Sequence, residues 1–233
     1  MAGTKPGTPK RSGRAKGTAK AAEKRAYRSP RRSQQARETR RAIRDAASAL
    51  FLDLGYGATS IVAIAERAGV APETVYSAFG TKRDLLFECL DVAIVGDDEP
   101  VPLLDRPWFA AMQQERSARK RVRAMVDNGS SAAGRSAAFD GVIRNAAGAD
   151  PKIAARMAQI DAARFGDTRR MVEVIAETGN MRLDVDDATD LIYAIGSPAV
   201  YGTLVAERGW THERFLDEMY ELAVSALLRE RRS

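Results

Sequence analysis

Apolar residues recur along most of the chain at three- and four-residue intervals, the spacing that gathers side chains on one face of a helix. The first such stripe is Ile43, Ala46, Ala47, Leu50, Phe51 and Leu54, with Arg40, Arg41, Arg44 and Asp53 mostly elsewhere, and it predicts a helix from about Gln34 to Leu54 ended by Gly55. A second stripe, Ile61, Ile64, Ala65 and Ala68, opens after Thr59 or Ser60, either of which can cap the free amides of a first turn.

The stretch GVAPETVYSAFGTK, Gly69 to Lys82, breaks this rhythm twice. Gly69 permits a tight turn, Pro72 is preset for the first position of a new helix, and the helix stops at Gly80. A further helix starts in Thr81-Lys82-Arg83-Asp84, where Thr81 and Asp84 can cap reciprocally, and Leu85, Leu86 and Leu90 turn inward as it runs to about Ile94. The short helix has two evident anchors, Val75 and Phe79, and presents Glu73, Thr74, Tyr76 and Ser77 outward. Two helices on a glycine-containing turn, the second small and polar outside, have the build of a helix-turn-helix that reads the major groove. Ordinary helical packing produces the same pattern, and both readings stay open at this point.

GDDEPVPLLDRPW, Gly96 to Trp108, holds three prolines among acids and reads as a linker. Helices are predicted beyond it at Trp108–Gln114, Ser117–Ala133 and Arg135–Ala147. A long one from Asp150-Pro151 to Thr178 ends at Gly179, another spans Asp186–Arg208 with a break near Gly196-Ser197-Pro198, and the last covers Thr211–Glu230. Alternating strand patterns are weak and aromatics make up 6% of the chain, so the expected fold class is all-α, without a sheet. The expected organisation is a disordered arm over 1–33, a helix-turn-helix domain over 34–95, a linker over 96–107 and a larger helical domain over 108–233.

Charge sharpens this picture. Residues 1–32 carry eleven Lys or Arg against Glu23 alone, so about +10 of charge sits there, while the remainder of a chain with a net charge of +6 is acidic. With few large apolar residues the arm cannot bury a core. It suits a polyanion, whose counterions it would release without reading sequence, or else serves only as a solubilising tail. Residues 33–90 hold seven basic and seven acidic side chains, so salt-dependent attraction to DNA is expected to come from the arm. No apolar run approaches the ~20 residues that span a bilayer, and the basic start lacks the apolar segment of a signal peptide. A cytoplasmic protein without a membrane partner is expected, and the single Cys89 excludes an intramolecular disulfide.

Catalytic and metal chemistry find no constellation. His212 is the only histidine and sits beside the expected cap Thr211, where a solvated first-turn residue is the simpler reading. One His and one Cys do not make a zinc site, the acid pair Asp186-Asp187 fits a helix start, and the glycines at 129 and 134 lack the spacing and lysine of a phosphate loop. Cys89 reads as a small buried apolar residue. No metal, no cofactor and no enzymatic activity are expected.

Taken together, FLDLGYGATSIVAIAERAGVAPETVYSAFGTKRDLL, Phe51 to Leu86, resembles the TetR family of transcriptional repressors. The resemblance rests on Phe51, Gly55-Tyr56, Thr59-Ser60, Ile64-Ala65, Ala68-Gly69-Val70, Thr74-Val75-Tyr76, Phe79 and Lys82. It implies a homodimer on double-stranded DNA, released from a palindromic operator by a small-molecule effector. A sequence-neutral binder driven by the arm is the alternative. Carried over residue by residue, it implies that Thr59 or Ser60, Tyr76 and Lys82 hold phosphates, while Ala71, Pro72, Glu73, Thr74 and Ser77 lie near bases. A lysine can act as a point charge on the backbone and a Tyr hydroxyl can bond a phosphate; Glu73 suits only a donor such as the cytosine amino group. Two positions depart from the family pattern: Ala78 stands where many members carry His, and Val62 where a basic residue is frequent.

The last two predicted helices, within SPAVYGTLVAERGWTHERFLDEMYELAVSALL, resemble more loosely the C-terminal helices that pair across a twofold axis in the family, with Val200, Leu204, Val205, Phe215, Tyr220, Leu222, Ala223 and Leu227 as the stripe. The same stripe also fits a core within one chain. For the effector the resemblance implies a pocket among Trp108, Phe109, Met112, Met125, Phe139, Met157, Phe165, Met171, Tyr193 and Tyr201, whose aromatics and thioethers suit a hydrophobic ligand. Arg144, Arg156 and Arg164 would suit an anionic one, and a solvated face explains them equally.

Overall fold

The computed structural model describes residues 1, 3 and 15–229, with side chains described continuously from residue 32. Its helices are α1 (Ala15–Ala58), α2 (Ile61–Ala68), α3 (Pro72–Phe79), α4 (Lys82–Val95), α5 (Pro107–Gln114), α6 (Ala118–Ala147), α7 (Pro151–Ala176), α8 (Val185–Ile195), α9 (Pro198–Tyr201) and α10 (His212–Leu227). Among the described residues the all-α class holds: the one extended pairing is an isolated bridge between Met181 and Leu228. That pairing ends α10 at Leu227, short of the expected Glu230, because the Leu227 carbonyl accepts from the Arg182 amide at 2.7 Å.

Helix α1 begins at Ala15, not at Gln34, so the segment from Ala15 onward is helical where an unstructured arm was expected. Residues 4–14, and the side chains of the arm up to residue 31, lie outside the described residues. The helix kinks at Gly55, where φ 79° and ψ 169° fall in a region open essentially to glycine alone. Of the apolar stripe, Ile43, Ala46, Ala47 and Phe51 are buried and Leu54 is 55% exposed, while beyond the kink Tyr56 folds back to stack on Phe51 at 5.9 Å.

Capping follows the sequence closely. Ser60 accepts from the Ala63 amide at 3.1 Å, and Thr81 and Asp84 form the reciprocal capping box. Gly69 adopts φ 68°, ψ 33°, the left-handed conformation that lets α3 leave α2 within three residues.

Two further departures have physical causes. The break expected at Gly134 does not occur and α6 is continuous. A Cβ at that position would lie 2.8 Å from Tyr201 Cζ, so the glycine serves the close approach of α9, not a turn. The segment after α9 continues as a π-helix over Gly202–Glu207, in place of the regular helix expected up to Arg208.

The core has two parts. One joins Phe51, Ile64, Val75, Phe79, Leu85 and Leu86 of the first four helices to Phe139 and Ile143 of α6 and Ile153 and Met157 of α7. The other gathers Val122, Met171, Val172, Ile175, Ile192, Phe215 and Leu227 from α6 to α10. The boundary expected at residue 95 is therefore crossed by packing, and the linker is ordered by a bidentate pair from Arg106 to Asp97 at 2.6 and 2.8 Å. That contact holds the Asp97 carboxyl at about 2, below the ordinary range.

Candidate DNA-binding surface and effector cavity

Helix α3 is held from behind by Val75 and Phe79, 1% and 9% exposed, so its opposite side faces out. Ala71, Glu73, Tyr76 and Ser77 are exposed there, and Pro72 and Thr74 are half-buried. Arg40 of α1 fixes the rear of the helix: its guanidinium donates to the Ala78 carbonyl, lies 3.0 Å from Glu88 of α4, and sits 4.2 Å from the Phe79 ring centre. Nothing in the sequence pattern marks Arg40 for this task, since it is one of many arginines on the polar side of α1.

The phosphate candidates divide. Thr59 is 1% exposed and donates its hydroxyl to the carbonyls of Leu50 and Gly55, at 3.0 and 2.8 Å. It holds the kink of α1 from a buried position, so of the expected alternatives Thr59 and Ser60 only the second has an accessible hydroxyl. Ser60 is exposed at the N-terminus of α2. Tyr76 is 55% exposed. Lys82 is half-buried: its ammonium donates to the carbonyls of Tyr56 and Thr59, both at 2.8 Å, and lies 4.2 Å from the Tyr56 ring centre. Burial pushes the Lys82 pKa down and the Tyr56 hydroxyl up. Of its three donors, two hold the α1–α2 turn and one is left for a ligand.

Helix α4 starts beside α3 and ends against the second half of the chain. Arg83 in its first turn lies 3.3 Å from Asp150, the cap of α7, and Arg135 of α6 donates to the carbonyls of Ala93 and Ile94 in its last turn, at 3.0 and 2.7 Å. Between these ties Leu90, Asp91 and Ile94 wall a cavity of about 360 Å3 shared with α6, α7, α8 and α10.

Of the residues expected at an effector pocket, Met125, Met157 and Met171 line this cavity. The other seven do not. Phe139 belongs to the core under α4, and Phe109 and Met112 are buried in the second core with Trp108 packed against it. Phe165 and Tyr193 stack edge to face at 5.3 Å, and Tyr201 packs on Phe215 at 4.8 Å. The cavity is walled instead by aliphatic residues such as Val126, Ile160, Ile192 and Ile195. Short side chains at Gly129, Ala132 and Ala133 leave the space open, a signal that was present in the sequence but that favours no single ligand.

His212 is half-buried, with Nδ1 3.1 Å from the Tyr201 hydroxyl, where a solvated residue was expected. Cys89 is buried as expected, and burial pushes its thiol up to about 11. Among the described residues no group of His, Cys, Asp and Glu is arranged to hold a metal ion, and no helix is long and apolar enough to cross a membrane.

Residues 43–89 match the family model described as bacterial regulatory proteins, tetR family. The chain also superimposes on solved structures of regulators. One is a transcriptional regulator from Saccharomonospora viridis solved with choline, 18% identical, TM-score 0.64, covering 83% of this chain and 99% of that one. Another is the FadR regulator of Bacillus subtilis solved with stearoyl-CoA, 19% identical, TM-score 0.62, covering 79% and 97%. A third is NalD, the secondary repressor of the MexAB-OprM multidrug efflux pump in Pseudomonas aeruginosa, 18% identical, TM-score 0.62, covering 85% and 100%. No curated protein matches the sequence. The resemblance carried by Phe51 to Leu86 is thus borne out: the amino-terminal domain is of the TetR type, and the chain has the two-part helical fold of these regulators.

Proposed function

We propose that this protein is a dimeric, sequence-reading DNA-binding regulator, a repressor that an effector in the α4–α8 cavity releases from a palindromic operator. The observation that carries the reading is the path of one stretch of chain: α3 presents Ala71, Glu73, Tyr76 and Ser77 outward, and α4, one short turn later, becomes a wall of the cavity. Helix α3 enters the major groove. Tyr76, Ser60 and the remaining donor of Lys82 meet phosphates, and Glu73 accepts from a cytosine amino group or turns away.

The dimer forms through α9, its π-helical continuation and α10, where Leu222 is 44% exposed and Leu204, Val205, Leu216 and Tyr220 are partly buried. Two α3 helices about 34 Å apart then fit two inverted half-sites. The arm over 1–33 adds sequence-neutral affinity, and 34–95, 96–107 and 108–233 act as reader, connector and sensor. An effector against Leu90 and Ile94 displaces α4. Through the Arg83–Asp150 and Arg135 ties this alters the separation of the two α3 helices, and about 1–3 kcal/mol of preference for the released arrangement is enough to change occupancy.

Selection of bound sequences from a random double-stranded pool, at about physiological salt, tests this reading. A palindromic site is expected. An unenriched pool that still binds at low salt contradicts it and points to neutral binding by the arm.

A further inference from the structure

The polar groups in the cavity wall are unevenly answered. Ser136 and Thr168 donate their hydroxyls to carbonyls of their own helices, both at 2.8 Å, and Asp140 is paired with Arg144 at 2.7 Å. Asp91, Arg156 and Gln159 are exposed, so water answers them. Arg164 of α7 is different. It is half-buried, lies 3.5 Å from the centre of the Tyr193 ring and gives one N–H to the Tyr193 carbonyl at 2.9 Å. Its Nε is buried without a partner, and its guanidinium forms no ion pair among the described residues.

A buried N–H without an acceptor carries its desolvation cost unrelieved, so the stretch of wall around Arg164 calls for an oxygen. The charge on that oxygen is limited by the neighbours of Arg164. Asp161 and Asp167 line the same cavity and stand three residues before and three after it on α7, a spacing that sets side chains next to one another on a helix. Two carboxylates around one guanidinium leave that stretch negative, which repels a second carboxylate or a phosphate but not the dipole of a carbonyl. A cation would leave the Arg164 donors as they are. Most of the remaining wall is aliphatic and thioether, which suits an apolar chain.

We infer that the cavity takes a neutral lipophilic carbonyl compound, a ketone, ester or amide, its oxygen accepting from the unanswered N–H groups of Arg164 and its apolar chain against Met125, Met157 and Met171. Of the three guanidinium groups that suggest an anionic ligand in the sequence, Arg144 is paired with Asp140, Arg156 is exposed and Arg164 is flanked by two carboxylates. The inference rests on the cavity being the effector site.

The test is calorimetric titration of the full-length protein at pH 7 with three probes that share a heptyl chain, nonan-2-one, octanoate and octylammonium, joined to infrared spectroscopy of the bound ketone labelled with carbon-13 at its carbonyl. Nonan-2-one is expected to bind at least tenfold more tightly than either ion, and its carbonyl band to lie at lower frequency than in an alkane solvent. Arg164→Met keeps an unbranched stem and removes the donors, so it should weaken ketone binding about tenfold or more and return the band toward its alkane position. Should that variant not fold, the order of the probes and the band in the wild type still decide. Octanoate or octylammonium binding as tightly as the ketone overturns the neutral assignment, and an alkane-like band in the wild type overturns the role of Arg164; both leave the cavity a ligand site. Binding of none of the three overturns the assignment and the effector reading together.

Discussion

Arg83 and Asp150 stand 3.3 Å apart across the boundary between the first four helices and the rest of the chain. Asp150 also caps α7, accepting from the Lys152 amide at 2.9 Å, and these amide bonds are the main reason its carboxyl lies below the ordinary range. Cap and tie are separable by substitution. Asp150→Asn keeps an acceptor for the amides and loses the charge, so thermal unfolding of Asp150→Asn should stay close to wild type while Asp150→Ala unfolds earlier. Both should weaken the coupling between cavity and operator equally, as Arg83→Ala should.

Thr59 provides a check on the local architecture. Thr59→Val keeps the shape and leaves the Leu50 and Gly55 carbonyls without their donor, so a loss of about 1–3 kcal/mol in denaturant unfolding is expected. The salt dependence of DNA binding by the folded variant should be unchanged. A reduced slope with unchanged stability would restore the phosphate role.

Tyr76 makes the opposite prediction. Its side chain is 55% exposed and packs on nothing that supports the core, so Tyr76→Phe should leave stability within about 0.5 kcal/mol of wild type. Loss of one phosphate hydrogen bond should weaken operator binding by about 0.5–1.5 kcal/mol, roughly two- to tenfold, measured by fluorescence anisotropy.

Cys89 should be chemically silent. It is 2% exposed, and a thiol raised to about 11 is almost wholly protonated at pH 7. Labelling by a thiol-disulfide reagent should be slow in the native protein and become fast on unfolding in denaturant. Fast native labelling would contradict the burial.

Much of this was legible in the residues, for reasons the structure makes plain. Caps and turns are local chemistry: Ser60, Gly69, Pro72 and the Thr81–Asp84 pair act within a few residues of themselves, and all sit where the sequence places them. What escaped is long-range. Gly134 reads as a helix break until Tyr201 is brought against it. Thr59 and Lys82 carry the family pattern, yet the burial of one and the two carbonyl partners of the other depend on how α1 kinks at Gly55. Of the aromatics and thioethers expected at the cavity, Met125, Met157 and Met171 line it, whereas the aromatics pack into cores because of their size and open space is left by Gly129, Ala132 and Ala133. Arginine partners are equally long-range: Arg40 and Arg135 are committed to backbone carbonyls of other helices, and Arg164 donates one N–H to the Tyr193 carbonyl while its buried Nε has no partner.

The central claim is that cavity occupancy and the grip of α3 on DNA are one equilibrium. Gly129 allows the most direct test, because it lines the cavity from α6 and a Cβ there meets nothing within 4 Å. Gly129→Leu places an apolar side chain in the effector's space and removes a mid-helix glycine, so it should be folded and about 0.5–1 kcal/mol more stable from helix propensity alone. The measurement is its affinity for the selected operator, by anisotropy at physiological salt, beside the wild type. A dissociation constant raised tenfold or more in a variant at least as stable as wild type is the predicted result; an unchanged constant would mean that the cavity does not control DNA binding.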